Sequence, residues 1–132
     1  MKTLIFSIAI TTLSFGLSNA QTTEKLQLDE DARVDVQRSI VSKQLLQLRD
    51  SIGISIRVAD ILLQKAKIEA QKVTYGNAKN ELIEYQKRVI SDLDETSLTS
   101  ENAWTGESEK RLKLSLNDTR REHNRIRKTI LN

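Results

Sequence analysis

Apolar residues recur at seven-residue intervals along the middle of the chain. One row comprises Ile54, Ile61, Ile68, Tyr75, Leu82 and Val89, and a second row comprises Leu45, Ile52, Ala59, Ala66 and Val73. In an α-helix, the two-residue offset between the rows is a rotation of about 200°. The rows therefore predict helix with apolar residues on opposite sides, and we expect the stretch from Ile52 to Val73 to be contacted by two neighbours.

Residues that interrupt helices are scarce in this sequence. The chain contains no proline and four glycines, and 30% of its residues are charged. This composition favours an all-α fold. The sequence predicts either one long helix or an antiparallel helical hairpin that folds back at Gly76. A shorter, basic amphipathic helix completes a small bundle or a coiled-coil-like structure.

Gly76 is the point at which these two architectures differ. Glycine is the usual left-handed residue at the end of a helix, which would make Gly76 the end of the first helix. However, the row from Ile54 to Val89 keeps its phase across Gly76. This continuity favours a single helix from about Asp31 to Leu93.

The segment Ile52–Val58 has a second interpretation as a β-strand. Its residues alternate strictly between apolar and small or polar types, which is typical of a half-buried strand. The seven-residue rows nevertheless continue on both sides of the segment, and no turn residues bound it. We therefore expect a helix here.

Residues 94–108 are predicted to be a connecting loop, because they are rich in Asp, Ser, Thr and Asn and contain Gly106. A final helix is expected to begin near Ser108. Its apolar positions recur at spacings of three and four and comprise Leu112, Leu116, Thr119, His123, Ile126 and Ile130.

The N-terminal residues resemble a secretory signal peptide in their pattern. Lys2 precedes the apolar run Leu4–Phe15, and the small residues Ser18 and Ala20 follow it. The run is shorter than the about 20 apolar residues that span a bilayer. We expect residues 1–20 to be removed on export from a bacterial cell, to the periplasm or the medium. Residues 21–132 then form a single helical domain with residues 21–28 frayed and without a transmembrane segment.

Positive charge is concentrated in the last predicted helix. Loss of Lys2 with the signal peptide lowers the formal net charge of the chain from +3 to +2. Between residues 110 and 128, Asp118 and Glu122 are outnumbered by basic residues. These are Lys110, Arg111, Lys113, Arg120, Arg121, Arg125, Arg127 and Lys128.

This basic face has two interpretations. It contacts an anionic lipid surface, a cell-wall polymer or an acidic protein. Alternatively, it is a solvated face that pairs with the acidic cluster Asp29–Asp35 of the same molecule. Nucleic acid is a disfavoured ligand, because export separates the protein from it and no aromatic residues are interspersed among the arginines.

Few residues suggest a catalytic or metal-binding site. His123 is the only histidine, and its position in an apolar row predicts a structural residue with a satisfied hydrogen bond. The chain has no cysteine, and no nucleophile, base and orienting group occur at a recognisable spacing. Asp92 and Asp94 supply only the first pair of a calcium loop. We expect no enzymatic activity, no cofactor and no metal site.

Trp104 is the only tryptophan, and it lies in the predicted loop. An exposed tryptophan is a frequent anchor for a protein partner. Alternatively, Trp104 covers one end of a small helical core.

These features predict an exported, non-enzymatic interaction or structural protein of the bacterial cell envelope. Its partner is a second copy of the chain or another helical protein, bound through the apolar row from Ile54 to Val89. The alternative is a periplasmic binding or chaperone-like module that uses its basic C-terminal helix.

Overall fold

The protein is helical throughout nearly all of the chain that can be described. The computed structural model describes the backbone of residues 3–98 and 104–132, and the side chains of residues 30, 32–97 and 104–132. Within these ranges the helices are α1 (Thr3–Lys65), α2 (Glu69–Leu98) and α3 (Gly106–Leu131), and there is no strand. The all-α prediction is confirmed, and Ile52–Val58 is helical.

The chain divides into two compact units. The first, Met1–Val36, comprises the beginning of α1, and the second, Gln37–Asn132, contains the rest of α1 with α2 and α3. Residues 21–28, which we expected to fray, continue α1 without interruption. Cleavage after Ala20 stays a prediction.

The helix from Asp31 ends well before Gly76. Helix α1 ends at Lys65, and α2 begins at Glu69, where the backbone amides of Gln71 and Lys72 donate to the carbonyl oxygen of Ile68 at 3.0 and 3.1 Å. Gly76 lies inside α2, and none of the described glycines has a positive φ. The favoured continuous helix is therefore wrong, and so is Gly76 as the position of the turn.

Packing explains the position of the break. On a continuous helix the two apolar rows would face opposite directions, so they could not contribute to one core. The turn at residues 66–68 places Leu45, Ile52 and Ala59 of α1 in the same core as Leu82 and Val89 of α2; all five have 0% exposure. Each helix thus buries a different row.

Polar contacts show that α1 and α2 run in opposite directions after this turn. Close to the turn, the Lys79 ammonium of α2 donates to the Asp60 carboxylate of α1 at 2.5 Å. Further from the turn in both helices, the Gln86 amide of α2 lies against Gly53 of α1. A Cβ atom at Gly53 would lie 3.3 Å from Nε2 of Gln86, so glycine allows the close approach.

Helices α2 and α3 are joined by a series of polar contacts along their length. The Ser115 hydroxyl donates to Asp92 at 2.6 Å, Arg125 donates to Glu81 at 2.6 Å, and Arg111 pairs with Glu95. Residue numbers rise in one helix as they fall in the other, so the two helices are antiparallel.

The predicted apolar face of α3 is confirmed. Its buried residues are Leu112, Leu116, Thr119, His123, Ile126 and Ile130. The helix begins earlier than expected, at Gly106, because the Thr105 side chain caps it by accepting from the Ser108 amide at 3.3 Å. Helix α2 also extends to Leu98, so the connection is shorter than the predicted residues 94–108. Residues 99–103 lie outside the described residues.

Thr119 provides a test of the α3 packing. Its Oγ1 atom is the only buried side-chain polar atom without a hydrogen-bond partner among the described residues. An unpaired buried hydroxyl costs about 1–3 kcal/mol, so we expect Thr119→Val to raise the free energy of unfolding by about 1 kcal/mol. Urea denaturation measures the change. Exposed Thr129, which donates to the Arg125 carbonyl, is the control: Thr129→Val should change stability by less than about 0.5 kcal/mol. A loss of stability in Thr119→Val would contradict this packing.

Candidate functional site

Three isoleucines at seven-residue intervals are exposed along the last part of α1 and in the turn that follows it. Ile54 and Ile61 lie in α1 and Ile68 lies in the turn, and their exposed fractions are 62%, 50% and 60%. On α1 this row, which we call the outer row, faces away from the buried residues Ile52 and Ala59. It consists of the first half of the six-residue row that the sequence suggested as an interface.

The second half of that six-residue row lies elsewhere. Leu82 and Val89 have no exposed surface, and Tyr75 is half-buried. Leu82 and Val89 are therefore unavailable to a partner in this fold. The sequence signal could not separate the two halves, because their spacing is uniform and only the turn at residues 66–68 gives them different environments.

Half of the basic residues of α3 are neutralised within the bundle. Arg111 pairs with Glu95 and Arg125 with Glu81, both on α2. Within α3, Lys113 pairs with Glu109, Arg121 with Asp118 at 3.3 Å and with Glu122 at 3.7 Å, and Arg125 with Glu122 at 2.7 Å. Arg111 and Arg125 thereby link α3 to α2, whereas the pairs of Lys113 and Arg121 lie within α3 itself.

The contact between Arg125 and Glu122 has an electrostatic consequence. The hydrogen bond from Arg125 holds the pKa of Glu122 below its ordinary value, and the positive charges of Arg125 and Arg121 act in the same direction. The hydrogen bonds from Arg125 to Glu122 and Glu81 raise the pKa of its guanidinium in turn. This pair therefore stays charged at neutral pH, with Arg125 exposed and Glu122 half-buried.

The other half of the basic face has no ion pair within the described part of the chain. These residues are Lys110, Arg120, Arg127 and Lys128. All four are exposed. They are the cations of α3 that are free to meet an anionic ligand.

His123 and Ser55 form a buried polar pair between α3 and α1. The Ser55 Oγ atom lies 2.8 Å from His123 Nε2, and the Ser55 hydroxyl is also placed to donate to the Ser51 carbonyl at 3.2 Å. Both side chains are less than a tenth exposed. The predicted hydrogen bond of His123 is confirmed. Ser55 was missed, although its position between Ile52 and Ala59 on the apolar face was a signal of a buried polar residue.

This pair is arranged to join two helices. A serine nucleophile needs an exposed hydroxyl and a base that is oriented by a third group. Here the hydroxyl is buried within α1, and no carboxylate among the described residues bonds to His123. Burial lowers the pKa of His123, and the charge of Arg127 lowers it further. The imidazole is therefore neutral at neutral pH.

The lowered pKa of His123 predicts a loss of stability in mild acid. The unfolded chain, with a histidine pKa of about 6.5, takes up the proton before the folded protein does. The stability contribution is therefore fully present above pH 6.5 and is lost as the pH falls through the lower folded-state pKa. Urea denaturation between about pH 7.5 and about pH 5.5 should show this decline, and His123→Gln should flatten it. Equal slopes in the two proteins would contradict this prediction.

Trp104 is buried, with an exposed fraction of 6%. It directly precedes Thr105, the residue that caps α3. The side chain is therefore not an exposed anchor in this structure. Of the two sequence interpretations, burial at the beginning of α3 matches the one in which tryptophan covers one end of the core.

Neither a cluster of metal ligands nor a membrane-spanning helix occurs among the described residues. No group of three or more His, Asp or Glu side chains is placed to hold a metal ion there. In the same residues, no helix has the length and hydropathy that would allow it to cross a membrane.

No protein-family model matches the chain, and no curated protein or solved structure is significantly similar to it. The functional interpretation therefore rests on the outer row, the basic face of α3 and the contacts around them.

Proposed function

We propose that the protein is a non-enzymatic helical interaction protein that self-associates through the outer row of α1. The observation that carries this proposal is the exposure of Ile54, Ile61 and Ile68 after the three helices have filled their common core. Single exposed apolar residues are ordinary, but Ile54 and Ile61 lie one heptad apart on α1 and form a line along which a second helix can pack, and Ile68 follows in the turn.

The spacing within α1 supports a helix as the partner. Ile54, Val58 and Ile61 are separated by four and three residues, which is the spacing of core positions in a coiled coil. Val58 is half-buried and lies between the two isoleucines on the same side of α1. A second copy of α1 carries the same pattern, so two copies can pack through the same apolar positions around a two-fold axis.

The proposal is tested by the mass of the protein in solution. Light scattering of the exported protein over a concentration series is expected to give a mass that rises above that of a monomer. A mass that stays monomeric up to millimolar concentration would contradict self-association. In that case the outer row has either a different helical partner or no partner.

Export to the bacterial envelope is the second element of the proposal. It is supported by the charged start at Lys2, the apolar run Leu4–Phe15 and the small residues Ser18 and Ala20. When the full chain is expressed in a bacterial host, we expect it in the periplasm or the medium, with an intact mass that begins at Gln21. Cytoplasmic recovery of an uncleaved chain would contradict export.

A second candidate function uses the basic face of α3. The four cations without an ion pair among the described residues support a module that binds an anionic lipid, a cell-wall polymer or an acidic client. Binding of this kind weakens steeply between low and physiological salt, whereas association through isoleucines does not. Salt dependence of binding therefore distinguishes the two candidates.

A further inference from the structure

A polar groove lies between α1 and α3, on the side of the bundle that carries Arg120 and Arg127, two arginines without an ion pair among the described residues. It encloses about 270 Å³. Gln44 and Gln47 of α1 form one wall, and Arg120, Asn124 and Arg127 of α3 form the other. The three α3 residues are spaced by four and three, so they lie on one side of the helix.

The lining of this groove is rich in hydrogen-bond donors. Guanidinium groups and side-chain amides offer several N–H groups, and the Ser51 hydroxyl also lines the groove. None of the lining residues is acidic. Arg120 and Arg127 also have no ion pair within the described part of the chain, unlike Arg121 and Arg125 of the same helix.

The floor of the groove is buried, and the positive charge of Arg127 acts on it. Leu48 and His123 complete the lining, and both are almost fully buried. The charge of Arg127 contributes to the lowered pKa of His123, so its field acts on the floor of the groove. A bound anion would offset this field.

We propose that the groove between α1 and α3 binds a phosphate group through Arg120 and Arg127. The planar guanidinium donates two parallel hydrogen bonds to phosphate oxygens, and phosphate accepts on several sides. Arg120 and Arg127 are separated by about 10.5 Å of helix rise, and both side chains are long enough to reach a group held beside Asn124 between them. The groove is open to solvent, so the rest of a phosphate monoester or a lipid can extend outward. This site is separate from the outer row and does not depend on self-association.

His123 offers a local readout, because it is the only histidine in the chain. Its imidazole signals in an NMR spectrum of the exported protein report on the groove floor. Inorganic phosphate, added at pH 7.5 and constant ionic strength, should shift these signals with a saturable dependence on concentration. A shift that does not saturate, or that sodium chloride reproduces, would overturn the proposal.

Matched double variants separate the groove from the general charge of α3. Each charge-assisted contact is worth about tenfold or more in affinity, so Arg120→Gln with Arg127→Gln should weaken phosphate binding by at least about 100-fold. Lys110→Gln with Lys128→Gln removes the same charge from positions outside the groove and should leave affinity unchanged within about twofold. Equal losses in the two double variants would overturn the proposal. Circular dichroism checks that both variants are folded, which is expected because all four residues are exposed.

A vesicle arm identifies the source of the phosphate group. Vesicles of phosphatidylglycerol present a phosphate headgroup with net negative charge, and phosphatidylcholine vesicles are the neutral control. If only the arginine variant loses phosphatidylglycerol binding, the ligand is a lipid headgroup. If inorganic phosphate binds and phosphatidylglycerol vesicles do not, the ligand is a soluble phosphate compound. If neither probe shifts the His123 signals, the proposal is refuted, while the light-scattering test of self-association is unaffected.

Discussion

Replacing Leu82 with alanine is expected to lower the free energy of unfolding by about 2–5 kcal/mol, whereas replacing Ile54 with alanine should change it by less than about 0.5 kcal/mol. The two residues belong to the same row of six apolar residues at seven-residue intervals. Leu82 has no exposed surface, so its truncation leaves a cavity in the core. Ile54 is 62% exposed, and alanine is a better helix former than isoleucine.

Chemical denaturation followed by far-ultraviolet circular dichroism measures both effects. The protein concentration must be low enough to keep the chain monomeric, because association would add its own contribution to stability. Val89→Ala is a second core variant with the same expected direction, since Val89 is also fully buried. If Ile54→Ala were as destabilising as Leu82→Ala, both halves of the row would belong to one core, and the turn at residues 66–68 would be contradicted.

Replacing both Ile54 and Ile61 with glutamate is expected to raise the dissociation constant of the self-associated form by at least about 100-fold. Each buried isoleucine contributes about 1.5–3 kcal/mol, and an unpaired carboxylate in an apolar interface adds a desolvation cost. The folded monomer should be unaffected, because both side chains are half or more exposed. Sedimentation equilibrium gives the dissociation constant.

Leu114 supplies the matched control for this double variant. It is 57% exposed on α3 and does not belong to the outer row. Leu114→Glu introduces the same chemical change at a comparable exposed position, so its dissociation constant should stay within about threefold of the original. An equal effect of both variants would indicate a nonspecific apolar or charge effect.

The third helix was predictable from sequence because local pattern and tertiary packing agree there. Its apolar positions recur at spacings of three and four, and the structure buries the whole set from Leu112 to Ile130. The charge pattern of the same helix correctly indicated that its solvent-exposed side is basic. It could not tell which cations find a carboxylate, because Glu81 and Glu95 are brought to Arg125 and Arg111 only by the antiparallel packing of α2.

The turn between α1 and α2 was not predictable in the same way. Residues Ala66, Lys67 and Ile68 include no proline or glycine, and the apolar rows pass through them without a change of phase. Gly76 carried the local signal for a turn and lies inside a helix instead. The turn is favoured by long-range packing, since it allows Leu82 to enter the core that contains Ile52, and a local pattern contains no information about that contact.

The polar residues of the α1–α3 contact show a similar limit. Sequence pattern placed His123 on the buried face of α3, but its partner Ser55 lies 68 residues earlier in the chain. The groove that contains Arg120 and Arg127 likewise depends on α1 for Gln44 and Gln47. Such sites become visible only when the helices are placed side by side.

Cysteine cross-linking tests association through the outer row most directly, because the chain has no cysteine of its own. Single variants Ile54→Cys, Ile61→Cys and Ile68→Cys of the exported protein are oxidised, and disulfide-linked dimers are detected on non-reducing gels. Parallel pairing of two α1 helices predicts cross-links at Ile54 and Ile61, the two outer-row positions on α1, and antiparallel pairing predicts one at the position nearest the two-fold axis. Leu114→Cys should give none. Absence of cross-links at all three outer-row positions, or equal cross-linking at Leu114, would contradict self-association through this row.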